Sequence, residues 1–317
     1  MKQKLTRMFL FFGFLSLIMG SVSSAHYYSS GYNLYSIQYR LIDSAGNTAW
    51  TTAGSNWTSS VGTTISQNST SLNAAHYGEL AYSWFGLYSP TGTPTKYFHV
   101  YVNTKAIHEY PGCNSNPGAC AISSATHEFG HAQFLNDIES GYGNTSIMSY
   151  ERDRTTITTP QPHDINDINS YRSSAKSSTS PDNYNPIPHA DWPEYNFNDL
   201  ISKQSDVVVQ VRVMDTQEKP VDDNLPPAQL STLKILDTIQ GDVSGEIILD
   251  QALDFVENGN TYIMILKKQG DYYYESDKNS ILIDQNGTYN SNIPDFKGKF
   301  TEFDTFKSTF ASKKLSL

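Results

Sequence analysis

Positive charge is scarce in this chain: 22 Lys and Arg residues face 32 Asp and Glu residues, which gives a formal net charge of −10. An acidic balance argues against a nucleic-acid or anionic-membrane partner. The chain has 317 residues, of which 38% are hydrophobic and 13% aromatic. This composition favours one or two globular domains with substantial cores.

Long apolar runs are also lacking, apart from one at the N-terminus. Lys2, Lys4 and Arg7 precede the apolar stretch "MFLFFGFLSLIMG", and the small residues "SVSSA" follow it. The run is too short for a membrane span. The pattern predicts a signal peptide over residues 1–25, cleaved after Ala25. We therefore expect a secreted protein without membrane attachment after cleavage. An uncleaved N-terminal anchor and cell-wall association are the alternatives.

Only two cysteines are present, Cys113 and Cys120. In an exported chain two neighbouring cysteines are expected to form a disulfide, and two free thiols are the alternative. So small a loop contributes little stability through loop closure. The expected role of the bridge is local, because it would hold the loop that leads into the predicted helix of His127.

The chain changes character along its length. Residues 26–172 are rich in polar and aromatic residues, residues 173–196 form a loop-like stretch with four prolines that predicts a linker, and residues 197–317 contain about six short strand-like runs. These runs predict a small barrel or sandwich, closed by a helix over residues 301–313. In the first region the patterns predict strands over 34–42, 79–88 and 96–103, a hairpin loop over 89–95, and a helix that carries Trp50 and Trp57 on one face.

The segment "THEFGHAQFLND" places His127 and His131 four residues apart. On a helix both imidazoles project from one face and can reach one metal ion. Glu128 lies off that face and can take a proton from a metal-bound water. The spacing therefore predicts a zinc site with a catalytic base, and two ordinary exposed helix histidines are the alternative.

With "SIMSY" at residues 146–150, the chain resembles the metzincin clan of zinc endopeptidases, particularly secreted bacterial relatives of the matrixins. The resemblance covers roughly residues 30–172 and implies an α+β fold in which a twisted mixed sheet packs on an active-site helix. It implies Asp137 as the third zinc ligand, Met148 as the structural methionine turn and Tyr150 as a residue that assists the transition state. It also implies that "HDINDINSY" forms the last helix of the domain and that "KYFHVYVN" corresponds to the strand that pairs with substrate.

Phe134 departs from this family pattern, which has glycine at its position. A bulky residue at positive φ costs on the order of 1–2 kcal/mol. We therefore expect the helix to continue through Phe134 and Asn136 to make the turn instead. With the turn displaced to Asn136, Asp137 is still expected to reach the metal, and Glu139 and His163 are the alternative third ligands.

The resemblance implies a secreted zinc endopeptidase that cleaves protein or peptide substrates with one catalytic Zn²⁺ and Glu128 as general base. A non-catalytic exported binding protein that keeps a protease-like fold is the alternative, and a structural zinc domain would need four protein ligands. The C-terminal region shows no metal or nucleophile constellation. Substrate, calcium requirement and oligomeric state are left open.

Overall fold

The computed structural model describes residues 26–138, 140–175, 187–219 and 225–315. The predicted signal peptide, Glu139 and residues 176–186 of the predicted linker lie outside the described residues. The described chain forms an N-terminal module around a mixed sheet and a C-terminal module around a small barrel. No helix of these ranges is long and apolar enough to cross a membrane.

The described part of the N-terminal module has six strands and four α-helices. In chain order these are β1 (Ser36–Leu41), α1 (Asn47–Val61), β2 (Thr64–Gln67), β3 (Ala74–Gly78), β4 (Gly86–Thr91), β5 (Tyr97–Asn103), α2 (Thr104–Glu109), α3 (Pro117–Ala132), α4 (Pro162–Ala175) and β6 (His189–Asp191).

The strand order in this sheet is β2-β1-β3-β5-β4-β6. β2, β1, β3 and β5 are parallel to one another. β4 is antiparallel to β5, and β6 is antiparallel to β4. Helices α1 and α3 share one core with the inner face of this sheet. Trp50 and Trp57 of α1 are both fully buried there, which confirms the helix that their seven-residue spacing predicts.

The predicted strand over residues 79–88 is wrong in its first part, because β4 begins only at Gly86. The preceding segment is a loop whose Tyr82 and Trp84 pack against residues of the C-terminal module. The apolar residues of this segment thus make a contact between the two modules and do not form a strand. The predicted hairpin joins β4 to β5 as expected, but β4 extends to Thr91, so the turn is shorter than residues 89–95.

The predicted linker also contains a strand, which the sequence does not predict. Residues 189–191 form β6, which pairs antiparallel with β4. The carboxylate of Asp191 is fully buried between the guanidinium groups of Arg152 and Arg154. This long-range ion pairing holds the segment in the sheet, and local sequence carries no signal for it.

The C-terminal module begins with a short helix and ends with a longer one. Its elements are α5 (Phe197–Lys203), β7 (Val207–Glu218), β8 (Gln229–Gln240), β9 (Glu246–Gln251), β10 (Thr261–Gln269), β11 (Tyr272–Glu275), β12 (Ile281–Ile283), β13 (Tyr289–Ser291), β14 (Gly298–Phe300) and α6 (Phe303–Leu315).

Five strands of this module close into a ring in the order β7-β8-β9-β11-β10, and β10 returns to pair with β7. The structure therefore selects the barrel from the two predicted architectures. α6 forms where a closing helix is predicted, and its Phe306 and Phe310 are buried in a core shared with α5.

The two modules contact each other directly beside β4. Tyr82 donates to Asp250 at 3.1 Å, and Ser83 donates to the carbonyl of Glu275 at 2.6 Å. Lys278 lies over the ring of Tyr150 at 4.0 Å. The barrel is thus part of the surroundings of the N-terminal module's candidate site.

Candidate metal centre

Helix α3 carries the two histidines of the central motif. Its first turn is capped by Asn116, whose side chain accepts from the amide of Ala119 at 3.1 Å, and Pro117 occupies the first helical position. The indole of Trp57 donates to the carbonyl of Thr126 at 2.8 Å and fixes the helix against α1. As a result, the side of α3 that carries His127 and His131 is held inside the module.

Three ligand-type atoms converge at the end of this helix. Nε2 of His127 and Nε2 of His131 lie 3.1 Å apart. Oδ1 of Asp137 lies 3.0 Å from the first nitrogen and 3.4 Å from the second. Tetrahedral zinc ligands about 2.0–2.1 Å from the ion are separated by about 3.3 Å. The triangle therefore has the dimensions of one face of a zinc coordination sphere.

The other nitrogen of each imidazole has a backbone acceptor. Nδ1 of His127 lies 3.0 Å from the carbonyl oxygen of Ile147, and Nδ1 of His131 lies 2.9 Å from that of Leu135. A carbonyl only accepts, so both Nδ1 atoms carry a proton, and in neutral rings both Nε2 atoms present lone pairs. Two buried lone pairs that face each other and a carboxylate need a cation between them. The residues therefore fit a divalent metal ion such as Zn²⁺.

Asp137 reaches this position because the chain turns at Phe134, where φ is +71°. The expectation that the helix continues and that Asn136 makes the turn is wrong: α3 ends at Ala132. Packing offsets the backbone strain, because the Phe134 ring lies 5.1 Å from that of Tyr171. Gly31 makes room for it, since a Cβ there would lie 2.4 Å from the ring. Phe134 therefore occupies the conformation that glycine adopts in the family pattern.

The two oxygens of Asp137 differ, because Oδ1 is buried without a hydrogen-bond partner and Oδ2 has one. Oδ1 faces the two α3 histidines, whereas Oδ2 lies 2.6 Å from Nδ1 of His189 in β6. Burial by itself raises the pKa of Asp137, but the neighbouring imidazoles, that of His131 first, hold that pKa well below its usual range. The carboxylate is therefore ionised and oriented for a cation.

Glu128 is fully buried next to this triangle, and neither of its carboxylate oxygens has a hydrogen-bond partner. Its carboxylate lies against β4 at Gly86. Burial, followed by the negative charges of Asp191 and Asp137, raises the pKa of Glu128 well above its usual value. A buried carboxyl group without a structural partner is a strong candidate for proton transfer.

Met148 and Tyr150 lie in the turn that follows. The sulfur of Met148 packs under α3 at Gly130, where a Cβ would lie 2.5 Å from it. The hydroxyl of Tyr150 donates to the carbonyl of Ala190 in β6 at 3.1 Å. Burial, followed by the charge of Asp137, raises the pKa of Tyr150 well above its usual value, so its hydroxyl stays protonated.

The alternative third ligand His163 does not join this centre. His163 lies on α4 in a separate group with His26 and Asp167, and Glu139 is outside the described residues. The disulfide between Cys113 and Cys120, with Cα atoms 6.0 Å apart, closes the loop just before α3. The sequence-predicted residues that lie together are thus His127, Glu128, His131, Asp137, Met148 and Tyr150.

β6 contributes to the site although no sequence pattern predicts it. His189 holds Asp137, Ala190 accepts from Tyr150, and Asp191 pairs with Arg152 and Arg154 at 2.6 Å each. No local motif marks these residues. Two closely spaced arginines after the methionine turn and an aspartate in a proline-rich segment are the only signal, and their partnership requires the fold.

No protein-family model matches this chain, and a search of curated proteins likewise found no match.

Proposed function

We propose that the protein is a zinc-dependent endopeptidase of the metzincin type. The observation that carries this proposal is the triangle of two imidazole nitrogens and one carboxylate oxygen with Glu128 beside it. Three protein ligands leave a coordination position open, and the unpartnered carboxyl group of Glu128 beside it favours catalysis over a structural role. The chain is expected to act on polypeptides outside the cell, in keeping with its predicted signal peptide.

Bound Zn²⁺ would polarise the scissile carbonyl and acidify a water molecule. Glu128 then accepts the proton of the attacking water and transfers it to the leaving nitrogen. Glu128 has no hydrogen-bond partner that would compete for this proton. Tyr150 donates to a backbone carbonyl, that of Ala190, and the same hydroxyl is suited to a substrate carbonyl oxygen.

Access to Glu128 is closed in the conformation described here. β6 pairs antiparallel with β4, in the manner of an extended peptide added to a sheet edge. His127, Glu128 and His131 are all fully buried beneath it. Catalysis therefore requires that β6 separate from β4, and the substrate would then take its place along β4. The resemblance implies β5 as the substrate-pairing strand, but β5 is already paired on both sides, with β3 and β4.

The same closure favours a second candidate function, a non-catalytic exported protein with a buried metal centre. In that case β6 is a permanent part of the sheet, and the buried pairing of Asp191 with Arg152 and Arg154 supports this. The unpartnered carboxylate of Glu128 argues against it, because a purely structural site has no use for such a group. The two candidate functions differ in whether the protein cleaves peptide bonds in a reaction that depends on Glu128.

The deciding experiment compares zinc-loaded wild type with Glu128→Gln on an unfolded protein substrate. We expect wild type to cleave and the variant to retain its zinc while losing activity by about 10²-fold or more, because the base is removed and the ligands stay. Asp137→Ala should lose both the zinc of this centre and the activity. If zinc-loaded wild type and Glu128→Gln release peptides at the same rate, the non-catalytic candidate is correct.

A further inference from the structure

A second group of ligand-type atoms lies outside the candidate active site. It consists of His26, at the start of the described chain, and His163 and Asp167, which are one turn apart on α4. The proposed function makes no use of these residues. Two imidazoles and a carboxylate form a donor set that suits Zn²⁺.

The geometry of this group matches that of the first triangle. Nε2 of His163 lies 3.3 Å from Nδ1 of His26 and 3.3 Å from Oδ2 of Asp167. The third edge, from Nδ1 of His26 to Oδ2 of Asp167, is 3.7 Å. Tetrahedral ligands of zinc are about 3.3 Å apart, so one ion would fit with small adjustments.

The surroundings leave room for one further ligand. Tyr142 packs against both imidazoles, with ring centroids 5.3 Å from His26 and 4.7 Å from His163. The side chain of Asp167 is 8% exposed, whereas that of His26 is 24% exposed. The inner side of the group is therefore covered by protein, and the outer side is open to a water molecule as the fourth ligand.

We propose that His26, His163 and Asp167 bind a second Zn²⁺, which acts as a structural clasp. The ion would fasten the first described residues of the chain to α4. This second site shares no residue with the proposed active centre, and zinc binding there does not depend on peptidase activity.

The clasp has a specific mechanical consequence. The carbonyl of His26 accepts from the amide of Asn136 at 3.0 Å, directly before Asp137, and the amide of Tyr28 donates to the carbonyl of Phe134 at 2.7 Å. The segment that begins at His26 therefore supports the loop that carries Asp137, the third ligand of the proposed active centre. An ion at the clasp would hold this support in place.

The test is the metal content of the untagged full-length protein, after metal removal and reconstitution with Zn²⁺ alone. We expect two zinc ions per wild-type chain, one in His163→Ala, one in Asp167→Asn, one in His131→Ala, and none when His131→Ala and His163→Ala are combined. His108→Ala, a change at an exposed histidine of α2, should keep two. Circular dichroism identifies any variant that fails to fold, and Asp167→Asn is the mildest change of shape.

Hydrogen exchange supplies a second readout. In zinc-loaded protein the amides of Tyr28 and Asn136 should exchange faster in Asp167→Asn than in wild type, while amides inside α1 should be unchanged. The same zinc content in wild type, His163→Ala and Asp167→Asn would overturn the inference, whether wild type binds one ion or two. Two zinc ions in a wild-type protein that cleaves no peptide would instead contradict only the proposed peptidase function.

Discussion

Nδ1 of His189 lies 2.6 Å from Oδ2 of Asp137, so a residue of β6 orients the carboxylate that faces the two histidines of α3. This contact links a segment late in the N-terminal module to the candidate metal centre. Such partners of metal ligands fix their orientation and tune the metal. His189 is therefore a positioning residue for this centre.

The first prediction concerns that contact. His189→Ala should weaken zinc binding at the active centre by about 10–100-fold, because Asp137 loses the group that orients it. Zinc competition with a chelator measures the change, and His108→Ala serves as the matched control. Unchanged zinc affinity in His189→Ala would mean that the loop alone positions Asp137.

The second prediction concerns β6 as a cover. Leu87 and Ala190 are directly opposite in the β4–β6 pairing, a geometry that suits a disulfide. Leu87→Cys combined with Ala190→Cys should be inactive when oxidised, because the bridge prevents β6 from leaving, and active after reduction. Wild type under the same oxidant and reductant controls for the native bridge between Cys113 and Cys120. A cross-linked variant as active as wild type would show that substrate enters by another route.

Phe134 provides a third prediction, on stability. Its side chain fills space beside Tyr171 and Gly31 while its backbone is held at φ +71°. Phe134→Ala should lower the free energy of unfolding by about 2 kcal/mol, since it removes the packing and keeps the strain. Phe134→Gly should be less harmful than Phe134→Ala by about 1 kcal/mol, because glycine adopts positive φ freely. Denaturant unfolding with zinc present measures both, and the opposite order of stability would contradict this account of the turn.

The fourth prediction concerns pH. Burial, followed by the charge of Asp254, raises the pKa of Glu275 from 4.5 to about 8. Between these two values the folded chain keeps a proton that the unfolded chain has lost, so this group destabilises the fold increasingly as pH rises. Glu275→Gln removes that titration.

We therefore expect the stability of Glu275→Gln, measured relative to wild type by urea unfolding, to increase from pH 5 to pH 8. The shift in pKa limits the gain to at most about 5 kcal/mol. Glu246→Gln, the same change at an exposed position of β9, is the matched control. A constant difference between Glu275→Gln and wild type across this range would contradict the assignment of the raised pKa to Glu275.

Sequence alone was sufficient for the features that depend on short-range periodicity. The spacing of His127 and His131 predicts that two imidazoles share one face of a helix, and α3 has this form. The seven-residue spacing of Trp50 and Trp57 likewise predicts the buried face of α1. The strand-like runs of the last third of the chain predict a small β structure, but they do not distinguish a barrel from a sandwich.

Only the tertiary structure decided where the chain turns to deliver Asp137. The intrinsic preference of a non-glycine residue argues against a turn at Phe134, and contacts with Tyr171 and Gly31, distant in sequence, override it. The same holds for β6, because the ion pairs of Asp191 join residues 37 and 39 positions apart. Local energies are encoded within a few residues, whereas packing and buried charge pairing depend on which distant segments the fold brings together.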